Sequence, residues 1–226
     1  MLSEYKKYAI IVAGGKGERM QTAQPKQFIN IGGKPLLMHT LMAFSRFDIH
    51  LEIILVLPDG QIKNWGQICR KYHFNVRHQV IAGGPERFHS VKSGLKLVEK
   101  ESLVAVHDGV RPLLTLDLIK RTFEAAAKYG AAIPCIEVKD SLREIIGASS
   151  VPVDRHIMRF VQTPQCFKSG LLTEAYNISY QPKFTDDATV VENAGHKIFI
   201  VDGDPMNIKV TLPMDMIIAE SLISKS

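Results

Sequence analysis

A glycine-rich segment followed by two cations is the feature of this sequence best suited to chemistry. The segment reads AGGKGERM, comes directly after an apolar run, and includes Ala13, Gly14, Gly15, Gly17 and Arg19. Lys26 follows in the block PKQF. Such a loop can aim backbone N–H groups at a polyphosphate while the two cations approach the same oxygens. We interpret it as a phosphate cradle; the alternative is a plain glycine turn with a solvated arginine.

Two common phosphate-binding motifs do not match this segment. A dinucleotide fingerprint beginning at Gly15 would need a third glycine where Met20 stands, and an acidic residue about 20 residues further on is missing. The sequence GGK at Gly32 is followed by Pro35, so it is not a GxxxxGK[ST] loop. A strand, a glycine-rich loop and two cations remain.

A second polar block, HDGVRP, follows the short apolar run Leu103 to Val106. Open α/β sheets bind their ligands at the carboxyl ends of strands. Asp108 is a hard oxygen ligand suited to Mg²⁺, and Arg111 offers a two-pronged donor for a phosphate or a carboxylate. We expect His107 to be a hydrogen-bonded histidine at a strand end and not a metal ligand.

Three further blocks fall at strand ends or helix starts. GGPERFHSV contains Gly83 and Gly84 and places Ser90 at a predicted helix start, where its hydroxyl could cap the helix or contact a base. NIKVT places Lys209 inside a predicted strand, where a lysine needs an anionic partner or an exposed edge. TDDA, beginning at Thr185, is interpreted as a helix cap outside the site.

These blocks are positioned by an alternation of short apolar runs and amphipathic stretches. The predicted strands are 8–12, 52–57, 76–81, 103–106, 131–138, 197–201 and 207–210. The predicted helices are 35–44, 61–72, 90–99, 116–129, 168–178, 186–193 and 213–224. For the helix 116–129, Thr115 can cap the start and Gly130 the end. The pattern predicts an α/β three-layer sandwich with a mainly parallel sheet.

One segment, residues 139–160, interrupts the alternation. Two extended stretches flank GASS without a helix between them, which predicts a projecting β-hairpin arm. The segment has too few apolar residues for a core of its own, and the sequence shows no repeat or low-complexity linker. We therefore expect one domain over 1–226 that carries the arm, with no further catalytic domain fused after Ser226.

Composition narrows the class of protein. The chain has 226 residues, of which 46% are hydrophobic and 23% charged, and a formal net charge of +5. Its basic residues are dispersed, which argues against nucleic acid and suits small anionic substrates. No run approaches the roughly 20 apolar residues of a membrane span. Three cysteines without CxxC spacing favour buried thiols in a cytoplasmic protein.

Taken together, the ordered blocks resemble the family of 2-C-methyl-D-erythritol 4-phosphate cytidylyltransferases of the non-mevalonate isoprenoid pathway. The matching blocks are AGGKGERM with PKQF, GGPERFHSV, HDGVRP, QTPQ and NIKVT. The resemblance implies a Rossmann-like nucleotidyltransferase fold, CTP with a divalent cation, and a homodimer clasped by β-arms. Relatives often have AAG and HDAAR where this chain has AGG and HDGVR, which bears on Gly14 and Gly109.

The resemblance also implies roles for individual residues. Arg19 and Lys26 would stabilise the transition state, and Asp108 would help to hold Mg²⁺ on the triphosphate. Lys209 and Arg155 would place the sugar phosphate, and the arm would deliver Arg155 to the partner subunit's site. The residues lining the sugar side would be Arg111, Ser141 and Thr163. Those contacting the nucleotide would be Ala13, Gly14, Gly15, Gly17, Gly83, Gly84, Ser90 and Gly109.

Two other functions stay open at this stage. Ribitol 5-phosphate cytidylyltransferases share the fold, the nucleotide and most of the blocks; the four residues between Met20 and Pro25 and the sequence SVKSGL after Arg87 favour the erythritol enzyme. A nucleotide-binding regulator without catalysis is disfavoured, because a binder does not need Arg19, Lys26, Asp108 and Lys209 around an α-phosphate.

Overall fold

The chain folds around a central sheet, seen in a computed structural model that describes residues 2–15 and 24–224. The eight strands of this sheet are β1 (Lys7–Val12), β4 (Glu52–Leu57), β5 (Gln79–Ala82), β6 (Leu103–Asp108), β7 (Ala131–Glu137), β10 (Arg159–Val161), β11 (Gln165–Lys168) and β12 (Phe199–Asp202). Two small hairpins lie outside the sheet. They are β2 (Asn30–Ile31) with β3 (Lys34–Pro35), and β8 (Leu142–Ile146) with β9 (Ser149–Val153).

The strand order is β10-β7-β11-β6-β1-β4-β5, and β12 also pairs with β7. The pairings of β1 with β4 and β6, of β4 with β5, and of β7 with β12 are parallel, whereas β10 and β11 run antiparallel to their neighbours. Val12 is in register with Asp108. The carboxyl ends of β1, β4, β5 and β6 therefore meet at one edge, as a mainly parallel sheet requires.

Helices cover both faces of the sheet, because its central strands are apolar on both sides. The helices are α1 (Leu36–Phe47), α2 (Asp59–Lys71), α3 (Arg87–Leu95), α4 (Leu116–Tyr129), α5 (Ser169–Ala175), α6 (Asp187–Asn193) and α7 (Pro213–Ile223). Ile11 packs in one core cluster with Phe44, Trp65 and Phe123, and Ile10 packs in the other with Val91. This arrangement confirms the predicted α/β sandwich. Among the described residues, no helix is long and apolar enough to cross a bilayer.

The predicted arm is a hairpin in the structure. Strands β8 and β9 pair antiparallel around a turn at Gly147, which has a positive φ of 60°. The far end of the predicted segment differs, because residues 159–161 form β10 and pair with β7 at the sheet edge. Large apolar side chains of this segment are exposed, among them Ile145 at 73% and Ile157 at 75%.

The helix α4 shows how local sequence fixes element boundaries. The Thr115 hydroxyl accepts a hydrogen bond from the Leu118 N–H at 3.3 Å, which satisfies one free donor of the first turn. At the other end Gly130 adopts φ 96° and its N–H donates to the Ala126 carbonyl oxygen. The predicted bounds of α4 are therefore confirmed.

Two expectations about elements were wrong, and one strand was not predicted. Residues 207–210 form no strand, because Val210 makes one backbone bond to Val110 while its side chain packs in a cluster with Leu36 and Ala219. Helix α3 begins at Arg87, so Ser90 lies inside it and does not begin it. Strand β11 was missed, since its four residues follow Pro164 and run into α5 without a turn.

Candidate active site

A cleft of about 600 Å³ opens at the carboxyl ends of β1, β5 and β6. Its walls come from the loop after β1, the turn at Lys26, the start of α3, the end of β6 and the segment before α7. The lining residues are Val12, Ala13, Gly14, Gly15, Lys26, Gln27, Gly84, Pro85, Glu86, Arg87, Ser90, Asp108, Val110, Lys209 and Thr211. The structure thus brings together blocks that are separated by nearly 200 positions along the chain.

The glycines of the site fall into two groups. A Cβ atom added to Gly83, Gly84 or Gly109 would lie 2.4–2.9 Å from Ser90, His89 or Ala13 respectively, so these positions are glycine because the protein itself packs there. A Cβ atom on Gly14 would have nothing within 4 Å among the described residues, and one on Gly15 would make only an ordinary contact with Lys26. The packing of the described residues does not explain these two glycines, and both face the cleft.

Lys26 lines the cleft and begins a 3-10 turn, Lys26–Phe28. Its Nζ donates to the Val210 carbonyl oxygen at 3.3 Å. The neighbouring Gln27 Nε2 donates to the Ala13 carbonyl oxygen at 2.9 Å, which ties the turn to the glycine loop. The ammonium is thereby held at the cleft beside Gly15. Gly17 and Arg19 lie outside the described residues.

Asp108 forms the charged floor of the cleft. Its Oδ2 lies 2.9 Å from Lys209 Nζ and 3.6 Å from Arg111 Nε, and its Oδ1 lies 3.4 Å from Arg87 Nε. Burial by itself would raise the pKa of this carboxyl, but the charges of Arg87, Lys209 and Arg111 outweigh burial and hold the pKa well below its usual range. Asp108 is therefore ionised at neutral pH.

Lys209 has the anionic partner that its sequence environment required, although no strand carries it. It follows Ile208 and precedes Val210, which anchor the segment in an apolar cluster with Leu36. After it, Thr211 is fixed by Asp215 of α7, whose Oδ2 accepts from the Thr211 N–H at 2.8 Å and from its hydroxyl at 3.0 Å. The side chain of Lys209 remains 44% exposed at the cleft.

Arg111, Thr163 and His107 lie beneath this floor. The Arg111 Nη1 donates to the Asn207 carbonyl oxygen at 2.7 Å, and the Thr163 Oγ1 accepts from the Asp108 N–H at 3.1 Å. His107 is fully buried between Thr163 and the Arg111 carbonyl oxygen, and burial lowers its pKa to about 3. His107 is therefore neutral and hydrogen-bonded, as expected. All three residues hold the ends of β6 and of the 207–211 segment together.

The arm residues do not line this cleft within one chain. Ser141 is exposed, and Arg155 lines a separate hollow of about 260 Å³ at the base of the arm. The guanidinium of Arg155 donates to the Lys139 carbonyl oxygen. The other basic residues of this hollow are Lys139, His156 and Arg159. A single subunit therefore separates Arg155 and Ser141 from the predicted nucleotide-contacting residues.

Sequence reasoning missed Arg87 and its partner Asp187. Arg87 lies at the cleft, and its Nη1 and Nη2 donate to the two Asp187 oxygens at 2.9 and 2.7 Å. The block TDDA does cap α6 through Asp186, which accepts from the Thr189 N–H at 2.9 Å. Its second acid, however, points back to α3. The available sequence signal was two consecutive acidic residues, Asp186 and Asp187, at a helix start. The sequence does not indicate that Asp187 pairs with a residue 100 positions away.

An α/β sheet with a glycine loop, convergent cations and an ionised carboxylate at its carboxyl edge suits a nucleotidyltransferase. The family model for 2-C-methyl-D-erythritol 4-phosphate cytidylyltransferase matches residues 8–225. This chain belongs to that family.

Relatives of the chain support this membership. A Bacteroides thetaiotaomicron protein of that name is 50% identical over 218 residues, covering 96% of this chain and all of the relative. A Geobacillus kaustophilus protein of the same name is 36% identical over 96% of each chain. The crystal structure of 4-diphosphocytidyl-2C-methyl-D-erythritol synthase from Anaerococcus prevotii is similar with a TM-score of 0.84 at 30% identity, covering 99% of this chain and 98% of that one. These findings do not favour the ribitol 5-phosphate alternative.

Proposed function

We propose that this chain transfers CMP from CTP to 2-C-methyl-D-erythritol 4-phosphate in the cleft, a step of the non-mevalonate isoprenoid pathway. Membership of the cytidylyltransferase family supports CTP and 2-C-methyl-D-erythritol 4-phosphate as the substrates. The observation that supports the location is the open space beside Gly14, where an added Cβ atom would meet nothing within 4 Å among the described residues. CTP would fill it with its phosphates against Ala13 to Gly15 and its base towards Gly84 and Ser90.

The proposed transfer of CMP needs positively charged side chains more than it needs a general base. An alkyl phosphate has a second pKa of about 6, so its oxygen is already an anionic nucleophile near neutral pH. This oxygen would form a bond to the α-phosphorus of CTP while the bond from the α-phosphorus to the bridging oxygen breaks and pyrophosphate leaves. Negative charge builds on the oxygens in between. Positioned positive charge therefore supplies most of the rate acceleration.

Lys26 and Lys209 both reach the cleft beside the 207–211 segment and suit this role. Lys26 is fixed next to the glycine loop, where the phosphates of CTP would lie. Lys209 is held by Asp108 on the acceptor side. Arg19, which is implied by the resemblance, would add a third cation from the glycine segment.

The acceptor side of the site would be completed by a second subunit. Arg155 and Ser141 lie on or beside a hairpin with exposed apolar side chains, away from the cleft of their own chain. An arm that clasps a second copy would bury Ile145 and Ile157 and bring Arg155 to the partner subunit's cleft. We therefore propose a homodimer in which Arg155 binds the sugar phosphate in trans.

A divalent cation fits this site only together with the nucleotide. Asp108 supplies one ionised carboxylate, but Lys209 and Arg87 already approach its two oxygens. Among the described residues, no cluster of three potential metal ligands is present. Mg²⁺ commonly takes one or two carboxylates and completes its shell with phosphate oxygens and water. When bound, the metal ion would neutralise triphosphate charge.

We therefore expect that Mn²⁺, used as a probe for Mg²⁺, does not saturate the nucleotide-free protein at submillimolar concentrations, because three cationic side chains surround Asp108. Electron paramagnetic resonance of free Mn²⁺ measures this directly. In the presence of CTP, Asp108→Asn should weaken the ternary complex relative to wild type. A saturable micromolar site without nucleotide would contradict the assignment.

We propose that residues 1–226 form one nucleotidyltransferase domain with its arm at about 139–160, since the sheet, both core layers and the cleft share the same strands. We also propose a cytoplasmic enzyme with small-molecule substrates, consistent with its free cysteines.

The location is tested by filling the space beside Gly14. Gly14→Leu should weaken CTP binding by on the order of 10-fold or more, because the side chain occupies the volume assigned to the phosphates. Its melting temperature should stay within about 2 °C of wild type, since an added Cβ atom meets nothing within 4 Å among the described residues. Gly60→Leu is the matched control, because an added Cβ there also meets nothing within 4 Å but lies on α2. Calorimetric titration with CTP makes the comparison, and undiminished binding by Gly14→Leu would place the nucleotide elsewhere.

A further inference from the structure

Arg87 stands between two carboxylates at the edge of the cleft. It is the first residue of α3, and its side chain is 28% exposed. Its two terminal nitrogens donate to Asp187, at 2.9 and 2.7 Å, and its Nε donates to Asp108 Oδ1 at 3.4 Å. A guanidinium held by two parallel bonds has a fixed plane and direction. The Nε–H donor is therefore aimed at Asp108.

Asp187 is itself rigidly held. It is fully buried at the start of α6, and its Oδ1 accepts a hydrogen bond from the Tyr176 hydroxyl at 2.6 Å. The same helix start is tied to β11, because Gln165 donates to Asp186 at 2.8 Å and accepts from the Ala188 N–H at 2.9 Å. The clamp on Arg87 is thus anchored in the central sheet.

The two oxygens of Asp108 have different partners. Oδ1 faces Arg87, whereas Oδ2 faces Lys209 at 2.9 Å, with Arg111 Nε 3.6 Å away. If Arg87 were absent, Oδ1 would lose its charged side-chain partner on α3, and the carboxylate could rotate. The direction of the Lys209 ammonium depends on that carboxylate.

We propose that Arg87, clamped by Asp187, is a positioning residue that orients the Asp108 carboxylate and, through it, the Lys209 ammonium towards the reacting phosphates. The inference rests on the proposed site and adds two residues to it. The competing explanation is a buried ion pair that only fastens α3 to α6. Because breaking such a pair destabilises any protein, loss of activity in a single variant cannot separate the two explanations.

The double variant, Arg87→Gln with Asp187→Asn, separates an effect on stability from an effect on the position of Asp108. Arg87→Gln leaves the buried Asp187 carboxylate without its ion pair, and Asp187→Asn removes the closer of the two carboxylates that hold Arg87, so each single variant should lower the melting temperature. The double variant removes both charges and should melt closer to wild type than either single variant. Its kcat/KM for the sugar phosphate should nevertheless stay on the order of 10-fold or more below wild type, because a displaced catalytic cation costs rate. Its KM for CTP should change less than its kcat/KM for the sugar phosphate, since the glycine loop is untouched.

A second measurement asks whether Arg87 acts through Lys209. The triple variant that combines Lys209→Ala with the double variant should be as active as Lys209→Ala alone, because both lesions remove the same positioned charge. The matched control is the pair Lys7 and Asp48, which is 2.9 Å apart at the opposite end of β1. Lys7→Gln with Asp48→Asn should change the melting temperature and leave kcat/KM unchanged.

The outcomes are distinguishable. Wild-type enzyme that releases no pyrophosphate from CTP and the sugar phosphate would overturn the proposed function. Active wild type together with a double variant that regains both melting temperature and kcat/KM would overturn the positioning role. Penalties that add fully with Lys209→Ala would also contradict it, because Arg87 would then act independently of Lys209.

Discussion

Replacing Lys26 by alanine is expected to lower kcat by on the order of 100-fold or more, with a smaller effect on CTP affinity. The Lys26 ammonium is fixed by the Val210 carbonyl oxygen and lies beside Gly15, where the phosphates of CTP would bind. Charge on the oxygens of the α-phosphate increases as the new bond forms, so a fixed cation there interacts more strongly with the transition state than with bound CTP. Steady-state kinetics with both substrates varied give kcat and the two KM values.

Two variants complete the Lys26 experiment. Lys63→Ala, on the exposed face of α2, removes the same charge away from the cleft and should leave kcat unchanged. Lys26→Arg keeps the charge but changes its position, and should fall between the alanine variant and wild type. An unchanged kcat with only a raised KM in Lys26→Ala would mean that the residue binds substrate and transition state equally.

Mixing two inactive variants is expected to restore activity. If the arm supplies Arg155 in trans, each Arg155→Ala or Lys26→Ala homodimer has both sites damaged. In a heterodimer of the two variants, one site receives both lesions and the other combines intact Lys26 from one chain with intact Arg155 from its partner. Such a heterodimer should show about half of the wild-type activity per dimer, the share of one functional site of two.

The heterodimer is obtained by co-expressing the two variants with different tags, purifying through both tags, and confirming the composition by mass. The position of Arg155 in the separate hollow at the base of the arm is the structural reason to expect rescue. Activity that stays at the background of the parent variants would place Arg155 in the site of its own chain and overturn the swapped arm.

Sequence patterns predicted the elements whose apolar runs are continuous or well capped. The bounds of β4 and α4 were predicted to the residue, because β4 is buried along nearly its whole length and α4 has Thr115 and Gly130 at its ends. Residues 207–210 have the composition of a strand but pack their apolar side chains without a strand partner. An apolar composition indicates that a segment is buried, but it does not indicate which backbone segment pairs with it.

In the site too, some residues could be predicted from the sequence and others could not. Ala13, Gly14, Gly84 and Asp108 line one cleft as the strand-end argument implied, since parallel strands carry their carboxyl ends to one edge. The ion pair between Arg87 and Asp187 could not be predicted from the sequence, because pairing of residues 100 positions apart depends on how α3 and α6 pack. The contributions of Arg155 and Ser141 depend on a second subunit and stay predictions.

Pyrophosphate release, measured in parallel with CTP and each of two acceptors, tests the central claim most directly. With 2-C-methyl-D-erythritol 4-phosphate, the protein should release one pyrophosphate for each cytidylylated product identified by mass. Its kcat/KM for this acceptor should exceed that for ribitol 5-phosphate by on the order of 100-fold, because a site built to hydrogen-bond one polyol rejects another. A higher kcat/KM with ribitol 5-phosphate, or release with neither acceptor, would contradict the assignment.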